Sequence, residues 1–285
     1  MTQQDEHWDL VIKPCNKWYD IDLVAIWRYR DLLMLLVRRD FVAVYKQTIL
    51  GPLWLFIQPI FSALTFAFIF GRLARISTDG NPPILFYMAG ITLWTYFADC
   101  LNRTSNTFVS NAGVFGKVYF PRLIIPLSVL VSNLVKLGIQ ILIFLVIWVY
   151  YLKFSSHVIH PQWQYFWLIP VLIIMMAGLG FGFGILISSL TTKYRDLTFL
   201  VGFGVQLLMY ASSVVLPVSS MSPGIKKLML LNPLTSIIEA FKFIFLGSGS
   251  FEGLWLIYDF LLMIVLIVGS VIVFSKVEKS FMDTV

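Results

Sequence analysis

The chain has 285 residues, 59% of them hydrophobic and only 13% charged, with a formal net charge of +6. Soluble globular domains carry about 25% charged residues, so this composition excludes an ordinary water-soluble fold and points to a chain that meets lipid. The positive charge needs no nucleic acid to account for it, since basic residues gathered at one membrane face, against an anionic leaflet, suffice.

The opening residues, MTQQDEHWDL, have neither a basic n-region nor an apolar h-region, so no cleaved signal peptide is expected. Residues 1–47 read as a polar N-terminal segment closing on a charged, aromatic-rich helix that includes Arg38, Arg39, Tyr45 and Lys46. Gly51-Pro52 then leads into LWLFI, and no charge recurs between Lys46 and Arg72. At about 1.5 Å per residue that length spans a bilayer. A basic helix on the membrane surface that turns directly into a span is predicted, the two moving as one piece.

Charge-free length places six spans at roughly 48–71, 84–104, 123–152, 165–191, 197–217 and 254–275. The third is long enough to tilt, or to begin as a surface helix near Pro121 and Pro126. The segment 218–253 is apolar in two stretches but broken by Lys226, Lys227, Pro233, Glu239 and Lys242. A helical hairpin dipping into the outer leaflet is expected there, because irregular backbone at that depth must be buried in protein or line a wet cavity. The fold class is thus an all-α integral membrane protein: a cytoplasmic segment 1–47 with its amphipathic interface helix, a six-span domain 48–275 with a re-entrant helical hairpin between spans five and six, and a tail 276–285. Arg72, Arg75, Lys153, Lys226, Lys227 and Lys242 fall outside; the other basic residues, Lys136 within span three apart, fall inside. Both termini are therefore predicted cytoplasmic.

No catalytic or metal-binding pattern emerges. GxxxxGK[ST] is absent, so nucleotide phosphates cannot be cradled by that route. His7, His157 and His160 have no carboxylate cluster beside them, and Cys15 and Cys100 suggest neither a disulfide nor a metal site. Gly178, Gly180, Gly182 and Gly184 form two overlapping small-xxx-small pairs, suited to ordinary close packing or to a sliding face. Asp99 and Arg103 stand one helical turn apart and read as a local pair. Lys136 can snorkel to the inner interface, and Asp259 lies near the outer end of span six, where it can be wet.

Two stripes stand out. Trp54, Phe61 and Phe68 repeat every seven residues in span one, with Gln58 and Thr65 between them on the same face. Phe199, Phe203, Gln206 and Tyr210 follow i, i+4, i+7, i+11 in span five. Aromatic faces stack on the apolar faces of sugar rings, and amides exchange hydrogen bonds with hydroxyls. The stripes therefore suit a sugar channel, or else face lipid or another helix. The turns at 111–122 (NAGVFGKVYFPR) and 193–196 (KYRD) lie on the predicted inner side, either as connectors or as docking loops for a partner.

The segments WDLVIKPCNKWYDIDLVAIWRYRDLL, RRDFVAVYKQTILGPLWLFIQP, GKVYFPRLIIPLS, KYRDL and LLNPLTSIIEAFKFIFLG together resemble the membrane subunit of ABC exporters with type-2 topology, and within these the permease for O-antigen and related cell-surface polysaccharides. The resemblance covers nearly the whole chain. It implies a homodimer paired with two copies of a separate ATPase subunit, which would bind ATP and Mg; no cofactor is expected in this chain. It implies that Arg38, Arg39, Tyr45, Lys46 and the turn of Gly116, Lys117, Phe120, Pro121 and Arg122 couple to that ATPase. It implies that the hairpin, with Pro223, Pro233 and Glu239, forms an outer gate, and that spans one and five line a path for a polyprenyl-linked polysaccharide through the bacterial inner membrane, where the chain also meets membrane lipid. A small-molecule, drug or teichoic-acid exporter of the same fold is the alternative. A membrane-embedded transferase would need acidic or histidine residues clustered at one face, which the sequence lacks.

Overall fold

The computed structural model describes residues 23–45, 51, 53–115, 120–155, 159–191, 196–249 and 251–281. Among these it is mostly helical, with no strand. A short helix α1 (Leu23–Arg28) precedes α2 (Arg30–Tyr45). Then come α3 (Leu53–Phe66), which runs on as a π-helix through Ala67–Leu73, α4 (Pro83–Ser105), α5 (Thr107–Phe115) and α6 (Ile124–Phe154). A 3-10 stretch (Trp163–Leu168) opens α7 (Ile169–Thr191), followed by α8 (Leu197–Tyr210), α9 (Pro223–Leu230), α10 (Pro233–Leu246) and α11 (Gly253–Phe281). Five helices are long and apolar enough to cross a membrane, or six if α9 and α10, bent by 102° to each other, count as one broken span. The chain is a multi-pass membrane protein.

The hub is α4. Pro83 starts it at a position whose missing N–H costs nothing. Tyr87, Tyr96, Phe86 and Phe97 along it are fully buried, because α3, α6, α7, α8 and α10 all pack on it. Between α4 and α11 lies α7, and its glycines explain how both come close. A Cβ at Gly180 would sit 2.8 Å from Cys100 Cβ, and one at Gly184 2.6 Å from Thr104 Cβ, both on α4. A Cβ at Gly182 would sit 2.8 Å from Leu266 Cγ on α11. The two small-residue pairs therefore serve two different faces, which bare backbone lets approach.

One expectation about the spans changes. Span five, predicted over 197–217, is met by α8 of 14 residues, about 21 Å long and short of a bilayer's hydrocarbon core of about 30 Å. Helical form stops at Tyr210, and 211–215 continue as turns. The apolar run outlasts the helix: Asn232 and Lys242 of the hairpin take the Ala211 and Ser213 carbonyls that follow it, and Pro217 has no N–H to offer the latter. The hairpin, by contrast, matches expectation: Asn232 Oδ1 accepts from Leu234 N to cap α10, Pro233 takes its first position, and Gly247 closes it in the left-handed region at φ +74°.

The membrane-depth ionisable residues also differ. Asp99 pairs with Lys136 across α4 and α6 at 2.7 Å rather than with Arg103; a bond between helices satisfies both charges where water is scarce. Lys136 thus has a partner on the neighbouring helix. Asp259 is not wet but fully buried, against α10. Lys242, assigned to the outer loops, is likewise buried within the hairpin.

Candidate functional site

The nine stripe residues sit on helices that both lean on α4, and every one is exposed in the single chain. Trp54, Gln58, Phe61, Thr65 and Phe68 form one open face of α3 and its π-helical continuation, while Phe199, Phe203, Gln206 and Tyr210 form that of α8. Phe199 is 85% exposed and Phe61 65%. Neither helix hides these rings; the buried side of α3 is Leu55, Pro59 and Ala63, and that of α8 is Val205. Chemically the two faces offer flat aromatic surfaces interleaved with amide and hydroxyl groups.

At the α2 end of the bundle a separate core forms. Leu36 of α2, Phe108 of α5, Phe120, Ile124 and Ile125, Phe181 and Ile185 of α7, and Val271 and Phe274 of α11 pack together. Phe108 and Phe274 stack with centroids 4.7 Å apart. Phe120 and Arg122 are buried, Pro121 is half-buried, and the Pro121 carbonyl accepts from Ile124 N where α6 begins. Arg38 and Arg39 are exposed on α2, with Arg39 bound to Asp40 at 2.8 Å. Tyr45 is the last residue of α2; Lys46, Gly116 and Lys117 lie outside the described residues.

At the opposite end the hairpin is asymmetric. α10 is buried along nearly its whole length and tied to its neighbours: Trp148 Nε1 of α6 donates to the Phe245 carbonyl at 2.8 Å, and Gln162 N donates to the Ile244 carbonyl at 2.9 Å. Lys242 Nζ donates to the Ser213 carbonyl, lies 3.8 Å from Glu239 Oε1 and stands 3.6 Å above the Phe86 ring. Of the expected gate residues, Glu239 is thus buried and Pro233 starts α10, while Pro223 starts α9 and is exposed. α9 carries Ile225 and Leu228 exposed. It is held by Lys226, 3.0 Å from Glu252 beyond α10; that hydrogen bond, against a weaker burial effect, keeps the Glu252 carboxyl below its usual range. Around it, Ser219 Oγ donates to Asp79 Oδ1 at 2.6 Å and Asn81 Nδ2 donates to Ser248 Oγ.

Sequence reasoning missed Lys242 as a fixed point. Its signal was present: a lysine between aromatic residues in the run AFKFIFL, with a glutamate one turn earlier. Among the described residues no group of three histidine, cysteine or acidic side chains could hold a metal ion.

Residues 31–246 match the family described as ABC-2 type transporter. The chain is 27% identical over 256 residues to an O-antigen export system permease protein RfbA from Klebsiella pneumoniae, covering 89% of this chain and 94% of that one. A second Klebsiella pneumoniae protein of the same name is 28% identical over 254 residues, with the same coverage. One from Myxococcus xanthus is 27% identical over 222 residues, 77% of this chain and 82% of its own.

Proposed function

The chain belongs to the ABC-2 type transporter family, and from that premise we propose that it is the permease subunit of an ATP-driven exporter that carries lipid-linked O-antigen or a related polysaccharide across the bacterial cytoplasmic membrane. The names of its near-full-length relatives support the substrate class. The observation on this chain that carries it furthest is the pair of uncovered stripes. Faces of aromatic rings with Gln58, Thr65 and Gln206 between them are costly to leave against hydrocarbon at the polar positions. They are well matched to a glycan that slides through on stacking and exchangeable hydrogen bonds.

In this reading two copies of the chain close the path by two-fold symmetry, with both termini cytoplasmic. Two copies of a separate ATPase bind ATP and Mg and press on the α2 end. The chain has no phosphate-binding loop and contributes no hydrolysis. Its own residues would transmit and line: the core of Leu36, Phe108, Phe120 and Phe274 joins the surface helix to α6, α7 and α11, so a push there moves spans directly.

The test is removal of the chain from a producing strain. Surface polysaccharide should disappear while lipid-linked glycan accumulates inside, and the purified chain should hydrolyse ATP only when joined to its ATPase. Unchanged surface polysaccharide in the deletion, or robust ATP turnover by the isolated chain with contaminants excluded, overturns the proposal.

A further inference from the structure

The 14-residue helix α8 ends in turns rather than in a loop free to wander, and hydrogen bonds in both directions tie those turns to the hairpin. Asn232 Nδ2 donates to the Ala211 carbonyl at 2.8 Å. Ser213 Oγ donates to the Thr235 carbonyl at 3.3 Å. Lys242 Nζ donates to the Ser213 carbonyl. Val214 is pressed so close to α4 that a Cβ at Gly90 would lie 3.1 Å from Val214 Cα. Each bond runs between the 211–215 turns and the stretch from Asn232 to Lys242, and α10 itself is anchored on α4 and α6. Lys242 is central. A buried ammonium is tolerated only where charge and hydrogen bonds meet it, and here Glu239, the Ser213 carbonyl and the Phe86 face do so. The arrangement is more than a neutralised charge, because one of the three partners is the backbone just past the striped helix.

We infer that Lys242, assisted by Asn232, is a positioning residue that pins the hairpin end of α8 to the buried half of the hairpin and so holds the export path closed between transport cycles. This rests on the permease reading above. Removing the pin frees the end of a lining helix without touching any stripe residue. The path then leaks small solutes at rest, and a glycan loses the narrow passage on which its grip depends.

The experiment reconstitutes the complete complex with its ATPase in proteoliposomes loaded with radiolabelled sucrose. It compares wild type with Lys242→Met, Asn232→Asp and the double variant Glu239→Gln/Lys242→Met. Asn232→Asp retains the oxygen that caps α10 but loses the donor to Ala211. The double variant removes the buried charge as a pair, so it escapes the penalty of an uncompensated ion while still lacking the tether to Ser213. Expected are basal ATP hydrolysis within about twofold of wild type for Asn232→Asp and the double variant, resting sucrose efflux raised roughly fivefold or more, and export reduced by roughly tenfold. Should Lys242→Met fail to assemble, the other two variants decide. Assembled Asn232→Asp and double-variant complexes as tight to sucrose as wild type overturn the inference, since a merely packed lysine predicts no leak. Sucrose efflux that follows the pattern while no offered glycan is exported, even by wild type, would sink the substrate assignment and leave the pin standing.

Discussion

Phe120 and Phe199 each stand near a polar turn, yet one is packed in the core at the α2 end and the other is almost fully open. Their alanine variants should part accordingly. Phe120→Ala leaves a hole among Leu36, Ile124, Phe181 and Phe274 and should cost about 3–5 kcal/mol, as large aromatic truncations in cores do, seen as lowered membrane yield and loss of complex. Phe61→Ala and Phe199→Ala leave no cavity and should retain yield and ATP hydrolysis. Their export should drop by roughly three- to tenfold, in line with aromatic contacts worth about 0.5–1.5 kcal/mol. Yield in membranes and surface polysaccharide, measured together, distinguish the two classes; stripe variants that express poorly would mark the stripes as packing faces. The period of the stripes was readable because it needs only one helix. The cross-element partners were not: Asp99 meets Lys136 on α6, Lys242 meets the Ser213 carbonyl in the turns after α8, and Asp259 is buried against α10, and no local spacing encodes that Asp99 meets Lys136 rather than Arg103.

Among the elements, α7 shows how closely helix contacts are set. Its four glycines divide between a rigid neighbour and a pliant one. Gly184 faces Thr104 Cβ and the Leu101 carbonyl, 3.1 Å from a built Cβ, which cannot yield without moving α4. Gly182 faces the branch of Leu266, which can change rotamer. Gly184→Ala should therefore lower the stability of the purified complex by about 1–3 kcal/mol, the usual range for overpacking, and Gly182→Ala by clearly less. Thermal unfolding in detergent measures the order, and the reverse order would contradict this packing. Charge-free length located α4, α6, α7 and α11 to within a few residues of their observed starts, because a lipid-crossing helix advertises itself by composition alone. The end of α8 was only partly legible: Pro217, at the end of the predicted stretch, cannot donate to the Ser213 carbonyl, but that Asn232 and Lys242 take the Ala211 and Ser213 carbonyls is tertiary and has no local signature.

For the whole molecule, the distribution of exposed apolar side chains poses one question: which face meets lipid and which meets water or a second copy. Val265 of α11 and Phe203 of α8 are both well exposed, but only Phe203 belongs to a stripe carrying a glutamine. In the assembled complex a membrane-impermeant maleimide should label Phe203→Cys and Gln58→Cys and leave Val265→Cys untouched. The background from Cys100 is low, since that thiol is buried, and Cys15→Ser removes the other cysteine. Equal labelling at all three sites would deny α3 and α8 a water-filled path.

Of the five helices able to cross a membrane alone, α4 is at once the least apolar and the most deeply enclosed. That pairing has a bearing on biogenesis. Helices bound for lipid contact can enter the bilayer on their own hydrophobicity, as α11 does, but α4 leaves the ribosome before α6, α7 and α10, the neighbours that will cover Thr92, Tyr96 and Thr104. Until they arrive its polar side chains face hydrocarbon or the insertion machinery, at a cost that falls only when later helices wrap it. The nascent protein is therefore at its most vulnerable midway through synthesis, and its second membrane helix is enclosed only once α10, translated well after it, is in place.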